Sequence, residues 1–128
     1  MGYTAGVKKP APASEATEKR WATLVAALSA RGAAPGSIFG MKCLKVSAGK
    51  AFAGLFGDAI VFKLAAQEHA TAMSLAGASL FDPSGMGRPM KEWVVVPAAH
   101  AKTWSRFGAA ALEAGERAAA TVKTKAPS

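Results

Sequence analysis

Apolar side chains recur over residues 14–31 at Trp21, Leu24, Val25 and Leu28, a spacing of i, i+3, i+4 and i+7 that places them on one face of a helix. Ser14 stands where an N-cap belongs. Glu15 and Glu18 follow in the first turn, where the helix dipole favours negative charge, and Gly32 lies where a glycine would end the helix. Pro35-Gly36 then predicts a short turn over residues 33–37, after which the period changes to two. Three strands are predicted over 41–46, 51–56 and 59–64, joined by Ala48-Gly49 and Gly57-Asp58 as antiparallel hairpins. In the first, Leu44 and Val46 alternate with Cys43 and Lys45. In the second, strict alternation puts Phe52 and Phe56 on one face with Gly54 between them, and in the third Ile60, Phe62 and Leu64 oppose Val61 and Lys63. Both faces carry apolar residues, so the outer one calls for cover by a helix or a second subunit.

The pattern turns helical again over 66–76, an alanine-rich segment with Ala70 and Met73 as its inward pair and Gly77 as its stop. The stretch 81–97 starts as a loop and ends as a strand. Asp82-Pro83, Ser84-Gly85 and Gly87 with Pro89 are turn chemistry, and Trp93, Val94, Val95 and Val96 form a strand buried on most sides that Pro97 ends. Pro97 then suits the first turn of a last helix, whose stripe is Trp104, Phe107, Ala111 and Leu112. The order α-β-β-β-α-β-α predicts an α+β domain, an antiparallel sheet of about four or more strands with helices packed on it.

Composition narrows this picture. The 128 residues make one domain with a hydrophobic core: residues 1–13 read as a disordered leader, 14–120 as the domain and 121–128 as a disordered basic tail. The longest apolar runs fall far short of the roughly 20 residues of a membrane span, and Pro10, Ala11 and Pro12 follow Lys8 and Lys9 where a signal peptide would place its apolar core. A cytoplasmic protein is expected, and the single cysteine, Cys43, agrees with a reducing compartment. Of the net charge of +8, half lies on the ends, since residues 14–115 hold 11 basic against 7 acidic side chains. Such ends attract nucleic acid weakly and without sequence preference, but the plainer reading of the charge is solubility.

Phe39-Gly40-Met41, Cys43-Leu44, Lys50-Ala51-Phe52-Ala53, the strand residues 61–64, Phe81-Asp82-Pro83 and Gly87-Arg88-Pro89-Met90 followed by residues 93–97 occur in an order and spacing that resembles the TfoX N-terminal domain family. The resemblance covers residues 37–112. It implies a small bacterial cytoplasmic α+β domain of regulatory setting, with no accepted catalytic set to carry over. Longer relatives, the TfoX or Sxy regulators of natural competence, add a C-terminal domain for which this chain has no room, so their competence role is not carried over.

The candidate chemistry is sparse. Gly85-x-Gly87 suggests a phosphate loop, but such a loop follows a strand and opens a helix, whereas here a strand follows the glycines, and a structural turn is the better reading. Arg88 is the best candidate for gripping a carboxylate or phosphate. The competing expectation, which we favour, is an internal Arg88–Asp82 pair that closes the loop. Cys43 is a nucleophile only with a base or positive charge beside it, and a buried strand cysteine is the simpler reading. His69 and His100 read as surface residues, and one Cys with two scattered His makes no zinc set. Lys42, Lys50 and Lys63 spread over the meander as a solvated face, without the interleaved aromatics that stack bases.

These residues predict a non-enzymatic regulatory or protein-interaction domain, with no catalytic residue, cofactor or metal, whose partner is another protein or a second copy of itself. Two alternatives stay open. One is a small-molecule or enzymatic site around Gly87, Arg88, Met90, Lys91 and Asp82. The other is weak nucleic-acid binding through the basic surface and tails.

Overall fold

The computed structural model describes residues 12–38, 40–82, 87 and 89–125, the last six by their backbone alone. Most of the expected leader, the Ser84-Gly85 turn, Phe39, Arg88 and the end of the expected tail lie outside the described residues.

Helix α1 spans Glu15–Ser29, and Ser14 caps it by accepting a hydrogen bond from the Thr17 N–H at 3.2 Å. Four strands follow: β1 Ala34–Ile38, β2 Met41–Lys45, β3 Ala51–Phe56 and β4 Ala59–Lys63. Helix α2, Ala66–Met73, leads to β5 Ser79–Phe81 and β6 Met90–Pro97, and a 3-10 turn over Ala98–Thr103 passes into α3, Trp104–Lys125. The strands form one antiparallel sheet in the order β1-β2-β3-β4-β6-β5, with helices packed against it, so the α+β class is as the pattern predicts.

The strand count is larger than predicted. Pro35-Gly36 marks a turn, yet Ala34–Ile38 is a strand. It is an edge strand, paired only with β2, and an edge is where a proline without an N–H is tolerated. Strand β5 has three residues and no alternation to betray it. Pro97 closes β6 in register with Ala59 rather than opening α3 directly. In α2 the inward residues are Ala72, fully buried, and half-buried Met73, while Ala70 is exposed. Alanines on every side of that helix carry no marker of its inward face. Helix α3 continues five residues past Ala120, the expected end of the domain.

Phe52 and Phe56 do not share a face. Leu44 pairs with Ala53 but Lys45 pairs with Ala51, so Phe52 is an extra residue in β3, a bulge that resets the alternation. Phe52 therefore turns to the helices with Ala53 and Leu55, and Phe56 turns to the other side.

All three helices contribute to the larger core, on one face of the sheet. Trp21, Leu24 and Leu28 of α1 and Trp104, Phe107 and Leu112 of α3 bury against Leu44, Ile60, Phe62, Val94 and Val96. Each large side chain so buried contributes about 1.5–3 kcal/mol. The indole N–H of Trp104 donates to the Val96 carbonyl at 3.0 Å, which satisfies the one polar group it brings inside.

Asp58, in the β3–β4 turn after Gly57 (φ 60°), ties this core to the helix start. Its Oδ1 accepts from the Ser14 N–H at 2.9 Å, and its carbonyl accepts from the Ala98 N–H at 3.1 Å. The Thr17 hydroxyl first, then Ser14, hold the Asp58 carboxyl below its ordinary pKa. A carboxylate depressed in the folded state stabilises fully above its unfolded pKa of about 3.9, and the contribution is lost as pH falls through the lower folded value. Stability should thus decline more steeply below about pH 4 in the native chain than in Asp58→Asn. Urea unfolding at a series of pH values measures this, and parallel curves for the two proteins would refute it.

Candidate interaction face

Among the described residues no helix packs on the sheet's other face, yet it holds a second apolar cluster. Val61, Phe81 and Trp93 are buried there, with Ile38, Met41, Phe56, Met90 and Val95 half-buried around them. Paired positions explain the assembly: Val61 lies opposite Val95 on one side and Gly54 on the other, so their side chains point the same way. Above Gly54 lies the Met41 thioether, whose methyl would stand 2.6 Å from a Cβ added at that glycine. The absence of a side chain on β3 is what lets Met41 lie flat over the sheet.

Phe56 and Phe81 meet edge to face, ring centroids 5.0 Å apart, although β4 and β6 lie between their strands. The twist of the sheet must carry these two corners towards one another, which makes the face concave along that diagonal. Phe81 also contacts Trp93, at 6.3 Å between centroids. The sheet thus half-closes over its own aromatic residues, which is why Val61 is fully buried without a helix above it.

The candidate loop leads from this cluster. Asp82 Oδ2 accepts from the Gly87 N–H at 2.9 Å, so the carboxylate closes the loop on its own backbone; Gly87, at φ 79°, has the left-handed conformation that favours glycine. The expected Arg88–Asp82 pair lies outside the described residues on its Arg88 side. Met90 opens β6 and packs into the outer cluster. Lys91 is exposed, and its carbonyl is taken by His69 Nε2 at 2.7 Å.

The histidines have positions that periodicity could not disclose. His69 clips α2 to β6, and His100 Nε2 lies 2.7 Å from the Ala76 carbonyl, tying the 3-10 turn to the end of α2. Both rings are half-buried. Cys43 is buried on its strand, and burial pushes its thiol up against a smaller opposing pull from Lys45. A thiol in that state is a poor nucleophile. Lys42 pairs with Glu18 at 3.4 Å and Lys63 with Glu92 at 3.8 Å, exposed pairs each worth about 0–1 kcal/mol. Among the described residues, no three His, Cys, Asp or Glu side chains gather as metal ligands, and no helix is long and apolar enough to cross a membrane.

Compared with protein-family models, curated proteins and solved structures, the chain matches none.

Proposed function

We propose that the chain is a non-enzymatic regulatory or protein-interaction domain of the TfoX N-terminal type, working in a bacterial cytoplasm, and that a second copy of the chain docks on the helix-free face of its sheet. The supporting observation is the lopsided cover. Three helices serve one face, while the other presents half-buried Ile38, Met41, Met90 and Val95 around an aromatic centre. Charged side chains stand beside this cluster rather than within it: Lys63 lies opposite Trp93, and Lys45 lies over Gly36. Aromatic residues and methionine at a centre depleted of charge are the composition of an interface core, and in a homodimer each copy offers the other a surface of matching chemistry.

Docking by strand addition is disfavoured. Pro35 interrupts the outer edge of β1, and β5 at the opposite edge has only three residues. Contact face to face is left. Native mass spectrometry and light scattering should show a dimer at high micromolar concentration. Met41→Lys or Val95→Lys should give a monomer with an unchanged far-ultraviolet spectrum, because an unpaired ammonium buried between two apolar surfaces costs several kcal/mol. A native chain that stays monomeric at those concentrations would refute the proposal.

A further inference from the structure

Beyond Gly115, the described residues of α3 that face the sheet are small. At Gly115 the two are in contact, since a Cβ there would stand 2.7 Å from Val46 Cγ1. One turn later the described side chains that the helix offers are Ala118 and Ala119, whose methyl groups are too short to fill the space opposite Phe52 and the β2–β3 hairpin. A cavity of about 300 Å³ results, at the small end of the range for ligand sites. Its walls are mostly apolar, and Lys50, just before β3, and Lys63, at the end of β4, join its lining.

The charges around the cavity are unbalanced. Lys50 makes no ion pair among the described residues. Lys63 has only Glu92, at 3.8 Å, in a pair whose side chains are 42% and 70% exposed. The carboxylate nearest in the chain to the α3 wall, Glu116, is occupied elsewhere: it accepts from the Ser47 N–H at 3.1 Å and from the Ser47 hydroxyl at 2.8 Å. Among the described residues the site therefore has apolar walls and two lysines, with Glu92 at 3.8 Å from Lys63 as the one paired carboxylate.

From this geometry we infer that the cavity binds a small apolar monoanion of the alkyl carboxylate class, its chain lying between Phe52 and the alanines of α3 and its carboxylate between the ammonium groups of Lys50 and Lys63. The cavity opens beside α3, and it shares Ala51 and Lys63 with the rim of the helix-free face. Hydrogen bonds to two ammonium groups give the anion its preference, and the apolar chain gives it most of its burial.

The test uses the full chain with octanoate and octanol, followed by calorimetry and by amide chemical shifts. Octanoate should bind, perturbing amides around Val46, Phe52 and Gly115, and octanol should bind about tenfold more weakly or worse. Lys50→Glu with Lys63→Glu, both at the surface, should abolish the difference between the two. Ala119→Leu should fill the cavity and eliminate binding while the amide spectrum elsewhere stays native. No binding of octanoate at millimolar concentration overturns the inference. So does equal affinity for the alcohol in the native chain, or binding that survives Ala119→Leu in the folded protein.

Discussion

Replacing Phe62 by alanine should lower the free energy of unfolding by about 3–5 kcal/mol, the loss expected when a fully buried aromatic side chain leaves a cavity. Phe62 lies on β4 with Ala53 paired to it on one side and Val94 on the other, and its ring stands 6.0 Å from that of Phe107 on α3. It has no exposed surface, and its neighbours are held by two ladders of the sheet, so the site has little means of collapsing. Since domains of this size are stable by about 5–15 kcal/mol, the variant should sit near the edge of folding. Urea unfolding should show an earlier midpoint with an unchanged slope, and Phe62→Leu should fall between the two proteins. A loss below about 1 kcal/mol would mean that the core of this face is not where the structure places it.

Gly115→Ala should destabilise the chain by about 1–3 kcal/mol, although alanine is the better helix former, because the added methyl overpacks a close helix–strand contact. The atom in its way is Val46 Cγ1, at 2.7 Å, on a β-branched side chain with few rotamers to choose from, itself buried against the core. Gly108, two turns earlier on the same helix, is the control. There the added Cβ would meet Leu24 Cδ1 at 2.9 Å and Leu28 Cδ1 at 3.1 Å, the ends of side chains that can rotate. Gly108→Ala should therefore be close to neutral, the gain in helix propensity of about 1 kcal/mol offsetting the adjustment. Thermal and urea unfolding of the two variants side by side measure the contrast. Equal effects at both positions would show that the contact of α3 with Val46 is no tighter than its contact with α1.

The helical stripes of α1 and α3 and the meander of β2, β3 and β4 were legible because each is written in local spacing. Trp21 to Leu28 and Trp104 to Leu112 keep a helical period, and the hairpin turns lie within a few residues of the strands they join. What could not be read depends on pairing between distant segments. Strand β1 owes its existence to β2, which overrides the Pro35-Gly36 signal, and the bulge that turns Phe52 over is a property of its register with Leu44 and Lys45. The loop was partly legible: Asp82 accepts from the Gly87 backbone, while the expected Arg88 partner lies outside the described residues. Cooperation of Phe56, Phe81 and Trp93 on one concave face follows from sheet twist, for which no spacing stands as a sign. The cavity beside α3 is hidden for another reason. Its walls are a glycine and two alanines, residues that attract no notice in a sequence, opposite a hairpin far earlier in the chain.

The placement of β6 decides how the chain can be divided. It arrives last of the strands but lies between β4 and β5, pairing with both. A cut between residues 64 and 90 would therefore leave β4 with one ladder side open and Ile60 and Phe62 without Val94 and Val96 beside them, while the severed C-terminal piece would keep α3 with most of its docking surface gone. The meander looks self-contained along the sequence, but in space it is half of an indivisible unit.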